Sequence, residues 1–169
     1  MLKRLIFASL LPVFCLQTAS AHIMLAQRTA APGSTYKATF RVPHGCNGSA
    51  TTGITVFMPQ GVSDVKGESK DGWSLSTKSE KTENGTERIT QVSWLDSTLP
   101  NSDYAEFSIE MKLPTTQGKI YFHVLQQCEQ GQNDWAAIAT EGEKKPAFPA
   151  PALDLTTATQ SEEGHMHDH

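Results

Sequence analysis

Apolar and polar residues alternate with period two along most of the chain, and this feature most restricts its fold. Phe107, Ile109, Met111 and Leu113 alternate with Glu106, Ser108, Glu110 and Lys112. In a strand, that spacing puts the four apolar residues on one face and the four polar residues on the other. Shorter runs repeat the pattern. They include Ile23 with Leu25, Tyr36-Ala38-Phe40 ahead of Arg41-Val42-Pro43, Ile54-Val56-Met58 and Trp73 with Leu75. Ile89 with the Val92–Trp94 stretch, Ile120-Phe122-Val124 ahead of Cys128, and Trp135 to Ile138 complete the set. Turn formers such as Pro32-Gly33, Pro59-Gln60-Gly61, Pro100-Asn101 and Gln117-Gly118 separate the runs, and Asn84-Gly85 predicts a hairpin. About eight short strands with no long helical period predict an all-β fold. The expected architecture is an antiparallel β-sandwich, immunoglobulin-like or cupredoxin-like.

The first 21 residues stand outside this pattern. Lys3-Arg4, the apolar run from Leu5 to Leu16 and the small residues Ala19-Ser20-Ala21 read as a secretory signal peptide, 1–21. The apolar run is too short for a stable span, so no membrane anchor is expected after cleavage. Bulky Phe14 ahead of Cys15 argues against a lipoprotein cysteine. Cleavage after Ala21 makes His22 the first residue of a periplasmic or secreted protein. Loss of Lys3 and Arg4 leaves 12 basic residues against 18 acidic ones, a charge of −6. No basic surplus exists to follow a phosphate backbone, so nucleic acid is not an expected partner. Residues 22–143 form the predicted sandwich domain. Residues 144–169, with three prolines between Lys144 and Pro151 and a histidine-rich end, read as a flexible tail.

Once the signal is removed, Cys46 and Cys128 remain, 82 positions apart. In an oxidising compartment such a pair reads as one disulfide, worth roughly 4–5 kcal/mol in the chain-entropy model. The other reading is a thiolate pair for a soft metal, although the close C-x-x-C spacing is missing. No nucleophile motif, phosphate loop or dinucleotide fingerprint is present, so no enzyme is expected. The sharpest chemistry lies at His22. A free α-amine and the Nδ1 of the same residue can chelate one metal in a single ring. Nitrogen donors suit Cu(II), the strongest binder of the divalent series. An amine with an ordinary pKa of about 8 yields its proton to such a metal near neutral pH.

Ala21-His22-Ile23, the run Arg41-Val42-Pro43-His44-Gly45-Cys46, and the Pro59-x-Gly61-Val62 turn followed by Gly72-Trp73 resemble the YcnI-like family of exported copper-binding proteins. Glu106-Phe107 ahead of a proline and the Gln127-Cys128-x-x-Gly131…Trp135 ending carry the same resemblance, which spans most of residues 22–139. The resemblance implies a β-sandwich that binds Cu(II) through a single-histidine brace. His22 would supply amine and imidazole, Glu106 would supply a carboxylate oxygen, and Trp135 would pack beside the metal. The Cys46–Cys128 disulfide would hold the surroundings. Unlike membrane-anchored members, this sequence has no C-terminal transmembrane helix, and its histidine tail is an addition.

From the residues alone, Glu106 lies on the polar side of its strand and reads equally well as a solvated acid. Trp135 reads as a core aromatic whose ring can shield a cation. His44, on a loop, and His123, opposite the Phe122-Val124 face, are placed outside the primary site. His165, His167 and His169, with Met166 and Asp168, form an accessory metal-binding tract that could capture metal and pass it to His22. The expected function is a copper chaperone or homeostasis factor that passes the ion to a copper-transport or oxidase-assembly partner. Two rival classes remain. One is a histidine-brace copper monooxygenase acting on polysaccharide, for which His44 or His123 must serve as second histidine. The other is a metal-free envelope interaction domain.

Overall fold

The computed structural model describes residues 22–140, 142 and 144–157. The signal segment 1–21 and the tract His165, His167 and His169 lie outside the described residues. Twelve strands and no helix are found among the described residues. The first six are β1 (Met24–Leu25), β2 (Thr29–Ala30), β3 (Thr35–Val42), β4 (Thr51–Phe57), β5 (Ser63–Gly67) and β6 (Ser74–Lys81). They are followed by β7 (Glu87–Leu95), β8 (Ala105–Lys112), β9 (Gly118–Tyr121), β10 (His123–Cys128), β11 (Gln132–Trp135) and β12 (Ala152–Leu155). One sheet has the order β1-β3-β8-β5, the second β11-β10-β4-β7-β6, and a three-stranded sheet has the order β2-β12-β9.

Alternation places the core. β3 and β8 pair antiparallel from Thr35↔Lys112 to Val42↔Ala105. Tyr36, Ala38, Phe40 and Val42 therefore share a buried face with Met111, Ile109, Phe107 and Ala105. The second sheet turns Ile54, Val56, Val92, Trp94 and Val124 toward them, all fully buried. Aromatic edges lock the two layers. Phe40 meets Phe122 at 5.3 Å between centroids, and Trp94 meets Phe107 at 5.3 Å. Trp94 keeps its polar end satisfied by donating Nε1–H to the Glu68 carbonyl at 2.8 Å. The Asn84-Gly85 hairpin forms as predicted between β6 and β7, closed by Thr82 N–H to Thr86 carbonyl at 2.9 Å. Gly85 takes φ +78°, a conformation open to glycine at little cost.

Three local expectations change. The run expected from Trp135 to Ile138 ends at Trp135, and Ile138 is 59% exposed. β5 joins the edge of the first sheet without any alternating signal in its sequence. The larger correction concerns the tail expected over 144–169. Within it, β12 pairs antiparallel with β9 and parallel with β2, so the domain extends at least to Leu155. Leu153 and Leu155 are spaced by two and both are buried in the core, which supplies the driving force that the proline content concealed. The preceding segment is also tied down. The Pro151 carbonyl accepts Phe122 N–H at 2.8 Å, and Ala150 N–H reaches the Ala137 carbonyl at 2.9 Å.

Burying each of Leu153 and Leu155 is worth about 1.5–3 kcal/mol. Ending the chain after Glu143 should therefore lower Tm by more than about 10 °C, whereas ending it after Thr157 should shift Tm by less than about 2 °C. Scanning calorimetry on the two shortened proteins checks this, and equal melting temperatures would contradict the extended domain.

Candidate metal centre

His22 lies immediately ahead of β1, half-buried. Ile23 and Leu25 point into the core on either side of exposed Met24, and this anchors the segment that carries His22 to the edge of the first sheet. The His22 ring meets the Trp135 ring edge-on, with centroids 5.9 Å apart and planes at 77°. Trp135 is buried at the end of β11, and Phe148 packs against it at 5.2 Å. Phe148 belongs to the segment expected to be tail, so that segment helps wall the site.

The Trp135 indole nitrogen donates to Gln126 Oε1 at 3.0 Å, so the ring rather than the nitrogen meets His22. Gln126 is fully buried and makes four side-chain bonds. Its Nε2 donates to the His44 carbonyl at 2.7 Å and to Thr51 Oγ1 at 2.8 Å, and its Oε1 also accepts from Asn133 Nδ2 at 3.3 Å. The amide's full capacity of two donors and two acceptances is thereby used. Sequence reasoning missed Gln126. Its signal is its parity: it continues the inward series Phe122, Val124 and is the polar member of an apolar face.

Cys46 and Cys128 are joined in a disulfide with Cα atoms 6.0 Å apart. No thiolate pair remains for a metal, and the alternative reading of these cysteines is closed. The bond fixes the loop bearing His44 to the end of β10. Gly45 tightens the same loop, because a Cβ there would lie 1.7 Å from the Ser49 carbonyl oxygen. Its N–H donates to Asn101 Oδ1 at 3.2 Å. His44 itself is half-buried, and its Nδ1 lies 2.6 Å from the Gly45 carbonyl.

Glu106 projects from the outer face of β8, as its parity predicts. Arg41 Nε donates to its Oε1 at 3.2 Å, and the Tyr104 hydroxyl donates to the same oxygen. Tyr104 first and Arg41 after it hold the Glu106 carboxyl below its ordinary value. The contact is therefore complete above the ordinary carboxylate range and lost as pH falls through the lowered value. Arg41 stands between Glu106 and Met24 in the ladder, so two strand spacings, about 10 Å, separate β8 from β1. The structure brings His22 and Trp135 together, and it leaves Glu106 with Arg41 and Tyr104. His123 is elsewhere, stacked on Phe57 at 4.2 Å and paired with Asp134. Among the described residues no group of three or more His, Cys, Asp or Glu is gathered to hold a metal ion.

A cavity of about 300 Å³ flanks His22. Met24, Arg28, Lys145, Pro146 and Pro149 are among the residues that line it, so β1 forms one wall and the C-terminal segment another.

These features define an immunoglobulin-like β-sandwich domain with one disulfide and a histidine seated at the start of its edge strand. The chain belongs to the family described as Domain of unknown function (DUF1775), which matches residues 22–155 and includes YcnI-like proteins. A crystal structure of an uncharacterized protein from Nocardia farcinica with an immunoglobulin-like fold is 24% identical, with a TM-score of 0.67 over 80% of this chain and 99% of that one. It shows the fold and decides for the immunoglobulin-like architecture. The seventh ScaB type I cohesin of Pseudobacteroides cellulosolvens is 11% identical, with a TM-score of 0.42 over 88% of this chain and 97% of that one. A cohesin–dockerin complex from Clostridium thermocellum gives 12% identity and a TM-score of 0.43 over 80% and 98%. No curated protein matches the chain.

Gln126→Leu keeps the approximate volume but strips partners from Trp135, Asn133, Thr51 and the His44 carbonyl. Each orphaned buried group costs about 1–3 kcal/mol, so urea unfolding should show a loss of about 3 kcal/mol or more. A loss below about 1 kcal/mol would contradict the role given to this amide.

Proposed function

We propose that this is an exported copper-binding protein that holds Cu(II) at its processed N-terminus, through the amine and imidazole of His22. The observation that carries the reading is the seating of His22 against the Trp135 ring at the start of the edge strand. The family match beginning at residue 22 and the extracellular chemistry of the Cys46–Cys128 disulfide support it. Among the described residues no helix is long and apolar enough to cross a membrane.

The donor chemistry fits copper on one condition. Among the described residues no three protein ligands are gathered, and the α-amine released by cleavage after Ala21 would add a donor beside the His22 ring. Amine and imidazole nitrogens are the donors that Cu(II) prefers. Trp135, with its nitrogen committed to Gln126, contributes an apolar wall that limits solvent access. Glu106 remains the carboxylate that the family resemblance points to, and recruiting it requires competition with Arg41 and Tyr104. The function is binding and exchange without covalent chemistry, as a chaperone or homeostasis factor. The receiving protein would be a copper-transport or oxidase-assembly component, and the compartment the periplasm or exterior. His165, His167 and His169 would serve as an accessory capture tract.

The test is Cu(II) titration followed by electron paramagnetic resonance. It compares the mature chain beginning at His22 with a variant carrying one additional N-terminal alanine. His165, His167 and His169 are replaced by Asn in both. A one-to-one nitrogen-rich signal that the added alanine abolishes is the expected result. The same signal in both proteins would contradict the N-terminal site, and no signal in either would favour a metal-free interaction domain.

A further inference from the structure

We propose that residues 158–169 dock back onto the cavity beside His22, with Glu162 and Glu163 paired to Arg28 and Lys145. The pairing itself needs no metal, and only its use in copper capture rests on the reading above.

Charge singles out the cavity. Arg28 and Lys145 are both exposed, and both line it. The ion pairs of the described residues engage Lys37, Arg41, Lys119 and His123, and neither Arg28 nor Lys145 is among them. Two cations thus meet at one opening, in a chain that counts 12 basic against 18 acidic residues from His22 onward. The rest of the lining is mostly apolar and includes Met24, Pro146 and Pro149. Proline rings fix that part of the wall in one backbone conformation. A preformed, largely apolar cavity of about 300 Å³ with a few charged groups is the ordinary form of a binding site.

Residues 158–169, outside the described part, carry the matching charge. They contain Glu162, Glu163 and Asp168 and no Lys or Arg. The chain also leaves the described fold close to the cavity. The Arg28 carbonyl accepts Asp154 N–H at 2.9 Å, so those two residues lie side by side. Thr157, three residues further on, is held by Gln117 Nε2 at 3.1 Å. Three residues of strand advance about 10 Å, whereas the stretch from Thr157 to Glu162 and Glu163 spans up to about 17–20 Å. That is length enough to reverse direction and return to Arg28. β2, which follows Arg28, is the edge of the third sheet, so no further strand of that sheet covers this side.

An exposed ion pair is weak by itself and is screened by salt. Here the acidic partner is tethered, and a short flexible tether gives an effective concentration on the order of mM. Glu163 stands two residues ahead of His165, so docking sets the histidine tract over the cavity that His22 lines. Metal caught by the tract is then passed on within one molecule.

The test uses the metal-free mature chain with a nitroxide on Met166→Cys and reads amide broadening by nuclear magnetic resonance. Broadening is expected at Met24, Arg28 and Ala139. Glu162→Lys with Glu163→Lys should reduce it by about threefold or more, as should about 0.5 M salt. Arg28→Glu with Lys145→Glu should do the same, and all four substitutions together should restore it. No broadening in the starting protein, broadening that either charge reversal leaves unchanged, or no recovery in the fourfold variant would overturn the inference. Broadening carried only from a labelled molecule to an unlabelled one in a mixture would assign the contact to a second copy and overturn it too. Each of these results leaves the N-terminal copper site standing, because no metal takes part.

Discussion

The buried side chain of Gln126 is the constraint on which the rest of this end of the molecule depends. An amide placed among Val124, Trp135 and the disulfide is costly unless every donor and acceptor is used. Here all four are used, by groups from three separate places: the His44 loop, Thr51 on β4, and Asn133 and Trp135 on β11. Satisfying one residue therefore fixes the positions of several. The indole cannot rotate without losing its acceptor, and the His44 peptide cannot move without losing its donor. The disulfide acts on the same loop through the covalent chain, and its 82-residue separation makes it a constraint on the unfolded ensemble as well.

The C-terminal segment finishes what Gln126 begins. β12 lies between β9 and β2 in the third sheet, and the residues before it carry Phe148 onto Trp135 and the prolines along the cavity beside His22. The first and last described parts of the domain thus meet at one place. On the proposed cleavage after Ala21, His22 would be the first residue, a position that is a frayed end in most folds. Here Ile23 and Leu25 enter the core directly behind it and hold it at the sheet edge. Such immobilisation lowers the ordering cost of any ligand bound there.

Much of this was legible from alternation alone. The period-two runs located β3, β4, β7, β8 and β10 and put Glu106 outside and Phe107 inside. The even cysteine pair together with an export signal pointed to the disulfide. β5 was hidden because an edge strand paired only with β8 buries little and can be polar. β12 was hidden because its two leucines follow a proline-rich stretch, and the strands that cover them lie far away in sequence. The engagement of Glu106 by Tyr104 and Arg41 depends on strand register, since Arg41 is 65 positions away. Gln126 shows the same limit: parity marked it as inward, but its partners at 44 and 51 become neighbours only through long-range pairing.

The central claim is that the processed N-terminus, seated against Trp135, is a copper site. Diffraction recorded at the copper absorption edge, from crystals of the mature chain with one equivalent of Cu(II), tests it most directly. The account predicts a single anomalous peak bonded to the His22 amine and ring nitrogens beside the Trp135 ring. A peak at His123 and Asp134, peaks confined to the histidines beyond Gly164, or no peak at all would contradict it.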